Sequence, residues 1–173
     1  VRSFVDKPTL VGERITLRPL VASDADDFWA DLDDEEARRL TGTHADFTRE
    51  QIDKWVDSRL EQPDRLDLGV VDSGSGEWLG ELAVLDWDED NRSCAFRIAL
   101  NPRGRGRGLG TDAVTLITDY VFDQLPINRI ALEVYAFNAR AIATYERVGF
   151  VREGVLRQAL LWEGKYHDAI VMA

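Results

Sequence analysis

Asn101-Pro102-Arg103-Gly104-Arg105-Gly106-Arg107-Gly108-Leu109-Gly110-Thr111 decides how the rest of the chain is read. Glycine recurs at every second position from Gly104 to Gly110, so the backbone can turn tightly and approach a ligand without side-chain obstruction. Ala113, Val114, Leu116, Ile117, Tyr120 and Val121 follow at helical spacing and predict a helix over Thr111–Leu125. The first N–H groups of such a helix have no partner inside it, and its dipole favours an anion at that end. Arg103, Arg105 and Arg107 alternate with the glycines and add charge-assisted donors. Loop and helix together suit a pyrophosphate.

Three phosphate-binding patterns can be tested against the stretch. The dinucleotide fingerprint G-x-G-x-x-G fails from Gly104 and Gly106, which lead to Leu109 and Thr111. From Gly108 it passes only in its looser form, ending at Ala113 with Glu133 further on, and no βαβ unit precedes it. A Walker loop needs Gly-Lys-Ser/Thr, and no lysine is near. The third pattern, Arg/Gln-x-x-Gly-x-Gly/Ala between a strand and a helix, is matched by Arg105 to Gly110. RNA-binding Arg-Gly tracts are repeated and disordered, whereas this one is single and wedged between ordered elements.

Outward from the loop, the pattern is regular. Arg14–Arg18 alternates with period two and stops at Pro19, a strand. Ser23 caps a helical stretch carrying Phe28, Trp29 and Leu32, whose first-turn acids Asp24, Asp26 and Asp27 complement the helix dipole. Thr48 and Gln51 form a capping box ahead of Ile52, Trp55, Val56 and Leu60. Residues 61–67 read as a loop, and Leu68–Val71, Trp78–Trp87 and Ser93–Leu100 as an antiparallel meander with turns at 72–76 and 88–91. Beyond the loop helix come a strand at Arg129–Tyr135 and a helix at Asn138–Val148 closed by Gly149. Phe150–Arg152 and Leu160–Met172 read as the last strands. The expected fold is α+β: one domain over residues 1–173, with a mixed, mostly antiparallel sheet flanked by helices.

Asn138-Ala139-Arg140-Ala141-Ile142-Ala143-Thr144-Tyr145-Glu146-Arg147-Val148-Gly149-Phe150 supplies a second signature. Asn138 and Tyr145 are two helical turns apart and share a face. With the Arg-Gly loop, this segment resembles the GNAT superfamily of N-acetyltransferases. Gly12-Glu13-Arg14-Ile15-Thr16-Leu17-Arg18-Pro19-Leu20 and Gly164-Lys165-Tyr166-His167-Asp168 are similar to its branch of ribosomal-protein N-terminal and polyamine acetyltransferases. Ala141 and Tyr145 stand where the ribosomal-protein enzymes often carry Ser and an aliphatic residue, which leans the resemblance toward small amines.

The resemblance implies direct transfer of an acetyl group from acetyl-CoA, the co-substrate, to a primary amine, of a small molecule or a protein N-terminus. Arg103, Arg105, Gly106, Arg107, Gly108, Leu109, Gly110 and Thr111 would then hold the pyrophosphate and Asn138 the pantetheine arm. Backbone N–H groups at Ile98, Ala99 and Leu100 would hold the thioester oxygen. Tyr145 would sit at the sulfur, where a phenol can supply the leaving thiolate with a proton. The family's usual glutamate is replaced by Cys94 or Ala95, so the base falls to Glu81, ahead of Asp86 and Glu133. Cys94 as an acyl carrier is the weaker reading, since a lone cysteine is ordinarily core. The lost glutamate also leaves an alternative: a catalytically degenerate module that binds coenzyme A as a sensor or interaction partner. A homodimer is compatible with the resemblance.

Composition bounds these readings. Of 173 residues 32 are acidic and 21 basic, a formal charge of −11 that argues against nucleic-acid binding. Residues 1–90 carry 24 acids against 10 bases and residues 91–173 carry 8 against 11, so the phosphate loop lies in the cationic half. One cysteine and two separated histidines argue against a disulfide framework or a metal centre. No apolar run suggests a membrane span or leader, and the cytoplasm is the expected compartment.

Overall fold

The computed structural model describes residues 3–173. Its strands are β1 (Leu10–Val11), β2 (Ile15–Pro19), β3 (Leu66–Asp72), β4 (Trp78–Asp88), β5 (Ser93–Leu100), β6 (Arg129–Tyr135), β7 (Arg152–Trp162) and β8 (Lys165–Met172). Its helices are α1 (Asp24–Asp31), α2 (Glu35–Thr41), α3 (Arg49–Ser58), α4 (Leu109–Gln124) and α5 (Ala139–Val148), with a short 3-10 turn at Arg59–Glu61. The strands form one sheet in the order β1-β2-β3-β4-β5-β6-β8-β7. Every neighbouring pair is antiparallel except β5 and β6, which run parallel as the crossover through α4 requires. The expected α+β architecture is therefore the observed one.

The core lies between the sheet and α4. Ala113, Val114, Ile117 and Val121 are completely buried on that helix, against Leu17, Leu68, Leu82 and Met172 of the strands. Full burial of each aliphatic side chain contributes roughly 1.5–3 kcal/mol, so this face anchors the helix whose N-terminus carries the glycine loop. A smaller cluster, Leu20, Ala25, Ile52, Val56, Val71 and Trp78, seats α1 and α3 on the other side.

Several boundaries differ from the sequence reading, each for a local reason. Ser23 makes no side-chain cap; Asp24 is buried instead and accepts from both Arg18 nitrogens and from the Val21 N–H at 2.8 Å. Strand β3 begins at Leu66 because Arg65 pairs with the buried Asp67 at 2.7 Å through both carboxylate oxygens. Helix α2 was not expected. It buries no side chain fully and rests on its caps, Asp34 accepting from Glu36 N–H and Gly42 turning left-handed at its end.

The last hairpin departs most. Residues 153–159, outside both expected strands, belong to β7, which starts at Arg152 rather than ending there. This edge strand is almost wholly exposed and has a bulge between Leu156 and Leu160, so it shows no clean alternation. Glu163 and Gly164, both at positive φ, make the tight turn into β8.

Candidate active site

The parallel pairing of β5 with β6 covers only Ser93, Cys94 and Ala95 against Arg129, Ile130 and Ala131. Beyond that the two strands diverge: β5 continues to Leu100 beside β4, and β6 to Tyr135 beside β8. The divergence leaves peptide groups of Phe96–Leu100 that face β6 without a strand partner. Such an edge inside a sheet accepts an extended chain bearing amides. Gly80 allows β4 to hold β5 this closely, since a Cβ there would meet the Ala99 carbonyl oxygen at 2.1 Å.

Helix α4 starts where β5 ends, and α5 starts where β6 ends, so both N-termini open beside the notch. Gly108, at φ 75°, is the left-handed N-cap of α4 and contributes no side chain, leaving the first-turn N–H groups of Leu109, Gly110 and Thr111 for an anion. Arg14 on the loop before β2 braces this turn. Its Nε pairs with Asp112 at 2.7 Å, and its terminal nitrogens donate to the carbonyls of Arg107 and Gly108.

The three loop arginines separate in role. Arg105 is half-buried and turned inward, with 2.6 Å to Asp34 and 3.0 Å to the Leu100 carbonyl. Arg103 pairs with Glu77 at 2.8 Å, and Arg107 donates to the Arg103 carbonyl at 2.9 Å. The three expected to serve phosphate are thus held differently: Arg105 ties the loop to the start of α2, and of the three Arg107 alone has no carboxylate partner among the described residues. The buried Asn101 organises the root of the loop. Its Oδ1 accepts from the N–H groups of Arg103 and Gly104, and its Nδ2 donates to Asp31 and to the Trp78 carbonyl.

Tyr145 is buried on α5, with its ring edge-on to Phe96 at 6.4 Å and against Phe150 at 5.7 Å. Burial pushes its phenol up to about 12. Asn138 caps α5, its Oδ1 accepting from Ala141 N–H at 3.2 Å. Arg147, in the last turn of α5, reaches Thr111 in the first turn of α4 at 3.2 Å and ties the end of α5 to the start of α4.

On the other face of β4 and β5 lies a cavity of about 240 Å³. Phe28, Leu32, Phe47, Ile52 and Trp55 form much of its wall, and Glu81, Arg97, Ala99, Leu100 and Asn101 its floor. Glu81 is directly opposite Ala99 in the β4–β5 register, which sets a carboxylate beside the strand expected to hold the thioester oxygen. Its Oε1 meets Arg97 at 3.0 Å, and its Oε2 is buried with no partner. Burial raises the Glu81 carboxyl above its ordinary range, opposed by the Arg97 charge.

The other base candidates separate from this geometry. Asp86 is exposed at a positive-φ bulge and Glu133 is exposed on β6; neither lines the cavity. Cys94 is buried and its thiol is pushed up to about 12 by burial, which opposes a thiolate nucleophile. His44 stacks on Trp162 and His167 packs edge-on to Phe137. Among the described residues no group of three His, Cys, Asp or Glu side chains gathers as a metal site, and no helix is long and apolar enough to cross a membrane. Asn101, Arg14 and Asp31 were not singled out from sequence. Their partners are 70, 98 and 47 positions away, and no local pattern encodes such pairings.

Comparison with known proteins bears on the family and the fold. The sequence model of the Acetyltransferase (GNAT) domain matches residues 14–151. The SPbeta prophage-derived N-acetyltransferase YokL of Bacillus subtilis strain 168 is 29% identical over 159 residues, 92% of this chain and 88% of that protein. Spermidine N(1)-acetyltransferase of Escherichia coli strain K12 is 34% identical over 97 residues, 56% of this chain and 52% of that one. In fold, the chain is similar to the spermidine N-acetyltransferase from Vibrio cholerae crystallised with CoA and spermine. The TM-score is 0.86 at 22% identity, covering 93% of this chain and 95% of the other.

Proposed function

The chain belongs to the GNAT acetyltransferase family, and on that premise we propose that it moves the acetyl group of acetyl-CoA directly to the nitrogen of a primary amine, in the cytoplasm, as a single domain over residues 1–173. One observation carries the reading: β5 and β6 part beside a left-handed glycine that opens the N-terminus of α4. The pantetheine arm, an extended chain with two amides, enters the notch as a surrogate strand beside Ile98–Leu100, with Asn138 at its flank. The pyrophosphate takes the N–H groups of Gly108–Thr111 and the side chain of Arg107. Gly106, at positive φ, lets the loop turn ahead of that helix, Arg103 flanks it, and Arg105 acts by holding the loop to α2.

The chemistry then follows from the groups around the notch. A neutral amine attacks the thioester carbon, the C–N bond forms and the C–S bond breaks, and coenzyme A leaves as its thiolate; the proton that the new amide nitrogen sheds passes to that thiolate, which is released as the thiol. Peptide N–H groups of β5 stabilise the oxygen that becomes negative in between. Glu81 accepts the proton that the ammonium must lose, and its raised affinity makes it a stronger base than an exposed carboxylate. Tyr145 donates a hydrogen bond to the departing sulfur. Full proton transfer from a phenol at about 12 to a thiolate of ordinary pKa about 8.5 is uphill by roughly 5 kcal/mol, so the hydrogen bond, not a transferred proton, is its contribution.

The test pairs two measurements on the purified protein. Acetyl-CoA should raise its melting temperature, and amines should release coenzyme A thiol steadily. Stabilisation without thiol release from any amine would favour the non-catalytic coenzyme A-binding module, for which the absence of a carboxylate at Cys94 or Ala95 speaks. No stabilisation by acetyl-CoA would refute both.

A further inference from the structure

The cavity beside Glu81 says which kind of amine fits. Phe28 and Trp55 pack at 5.0 Å with their rings tilted by 36° along one side, continued by Leu32, Ile52 and Phe47. The charged side chains that line it are already engaged, with one exception. Asp31 accepts from Trp78 Nε1 at 2.7 Å and from Asn101 at 3.3 Å. Arg38 donates to the carbonyls of His44 and Ala45 and to Asp46. Arg97 is held by Glu81 Oε1. Glu81, on the cavity floor, is the exception: its Oε2 is buried and has no hydrogen-bond partner.

The acidic excess of the N-terminal half does not extend this set. Asp24 is bound to Arg18, Asp26 to Arg49, Asp34 to Arg105 and Asp67 to Arg65. A polyamine or an aminoglycoside carries several ammonium groups and needs a carboxylate or carbonyl near each, because an unpaired buried charge is costly. Beyond Glu81 this wall offers only Asp31, already bonded to Trp78 and Asn101, and the Thr41 and Thr43 hydroxyls, bonded to each other, and the rest is mostly aromatic and aliphatic surface.

We infer that the acceptor is a monoamine borne on an aromatic or branched aliphatic body, its nitrogen at the Glu81 carboxylate and its apolar part between Phe28, Trp55 and Leu32. The inference rests on the acetyltransferase reading and narrows its substrate to one chemical class. Binding places the nitrogen next to Ala99 on β5, the side from which it can reach a thioester lying in the notch. Loss of one proton to Glu81 frees its lone pair.

The experiment compares 2-phenylethylamine, spermidine and kanamycin at saturating acetyl-CoA by thiol release, and in parallel measures their binding to the coenzyme A complex by calorimetry. The expected result is a kcat/KM for 2-phenylethylamine about tenfold or more above that for spermidine, a discrimination an apolar pocket can supply, with little dependence on salt. Trp55→Ala should raise KM for 2-phenylethylamine about tenfold while the KM for acetyl-CoA stays near the wild-type value. Spermidine or kanamycin as the better substrate or tighter ligand would overturn the inference and leave acetyl transfer standing. Binding of 2-phenylethylamine above spermidine with no thiol release from any amine would keep the pocket assignment and refute acetyl transfer. Absence of binding by 2-phenylethylamine would overturn the inference whichever amine reacts.

Discussion

Replacing Asn101 by alanine probes the joint between cofactor loop and acceptor cavity. Asn101 is 3% exposed and makes four side-chain hydrogen bonds, two donated by Nδ2 and two accepted by Oδ1. They are not equally hard to replace. Gly104 N–H also reaches the Asn101 carbonyl at 3.0 Å, and Asp31 retains its bond from Trp78. The Trp78 carbonyl loses the side-chain donor outright, and the alanine leaves a small void around it. A buried polar group left unpaired costs about 1–3 kcal/mol, so the expected destabilisation is about 3 kcal/mol with the void included. For a chain of this length that lowers the melting temperature by about 6–12 °C. The root of the loop loosens at the same time, and KM for acetyl-CoA should rise between about tenfold and a hundredfold. Urea unfolding gives the first number and initial rates of thiol release the second. Asn101→Asp keeps acceptors for Arg103 and Gly104 but sets a second carboxylate beside Asp31, so its deficit should shrink as pH falls. An Asn101→Ala protein within about 0.5 kcal/mol of wild type, with unchanged KM for acetyl-CoA, would refute the assignment of Asn101 as the joint.

Three further expectations concern the chemistry. Tyr145→Phe should lower kcat about tenfold to a hundredfold, the worth of one hydrogen bond to a developing anion, with KM for acetyl-CoA within about threefold; unchanged kcat removes Tyr145 from the leaving-group step. Gly108→Val should abolish acetyl-CoA binding by calorimetry while far-ultraviolet circular dichroism stays native-like, because a β-branched residue at φ 75° is strained and its Cβ would press on Arg14 at 3.2 Å. Glu81→Gln should remove the acidic limb of the kcat/KM profile, which in the wild type lies above the ordinary glutamate range because burial raises that carboxyl. A folded-state pKa above the unfolded value favours folding fully below about pH 4.5, and that advantage is lost as pH rises through the folded pKa. Wild-type stability relative to Glu81→Gln should therefore fall between acidic and neutral pH; a difference independent of pH would contradict the burial.

Much of the site is legible in the chain because its parts are local. The glycine spacing of Gly104–Gly110, the cap at Asn138 and the seven-residue step to Tyr145 each depend on backbone geometry within a few turns, and the structure has a loop, a cap and a buried ring at those places. Strands β5 and β6 have the expected bounds because each alternates against a core on one face. Edge strand β7 escaped the reading because it is exposed almost throughout and so carries no alternation, and α2 because its stability lies in caps at Asp34 and Gly42 rather than in an apolar stripe.

Order and type of the central elements, and the glycine turn that opens α4, were thus present in residues near one another. The direction of Arg105 was not, since Asp34 lies 71 positions upstream and only the packing of α2 against β5 brings it within 2.6 Å. Nor was the distinction of Glu81 from the chain's other carboxylates. An isolated Glu on a strand reads as solvated, and what alters its chemistry is the fold: a floor formed with Ala99, a single arginine partner and one oxygen left without any. Spacing along a chain determines which groups share a helix turn or a strand face. Desolvation and the pairing of distant charges depend on what surrounds a group from every side, and that surrounding exists only once the sheet and helices have closed on one another.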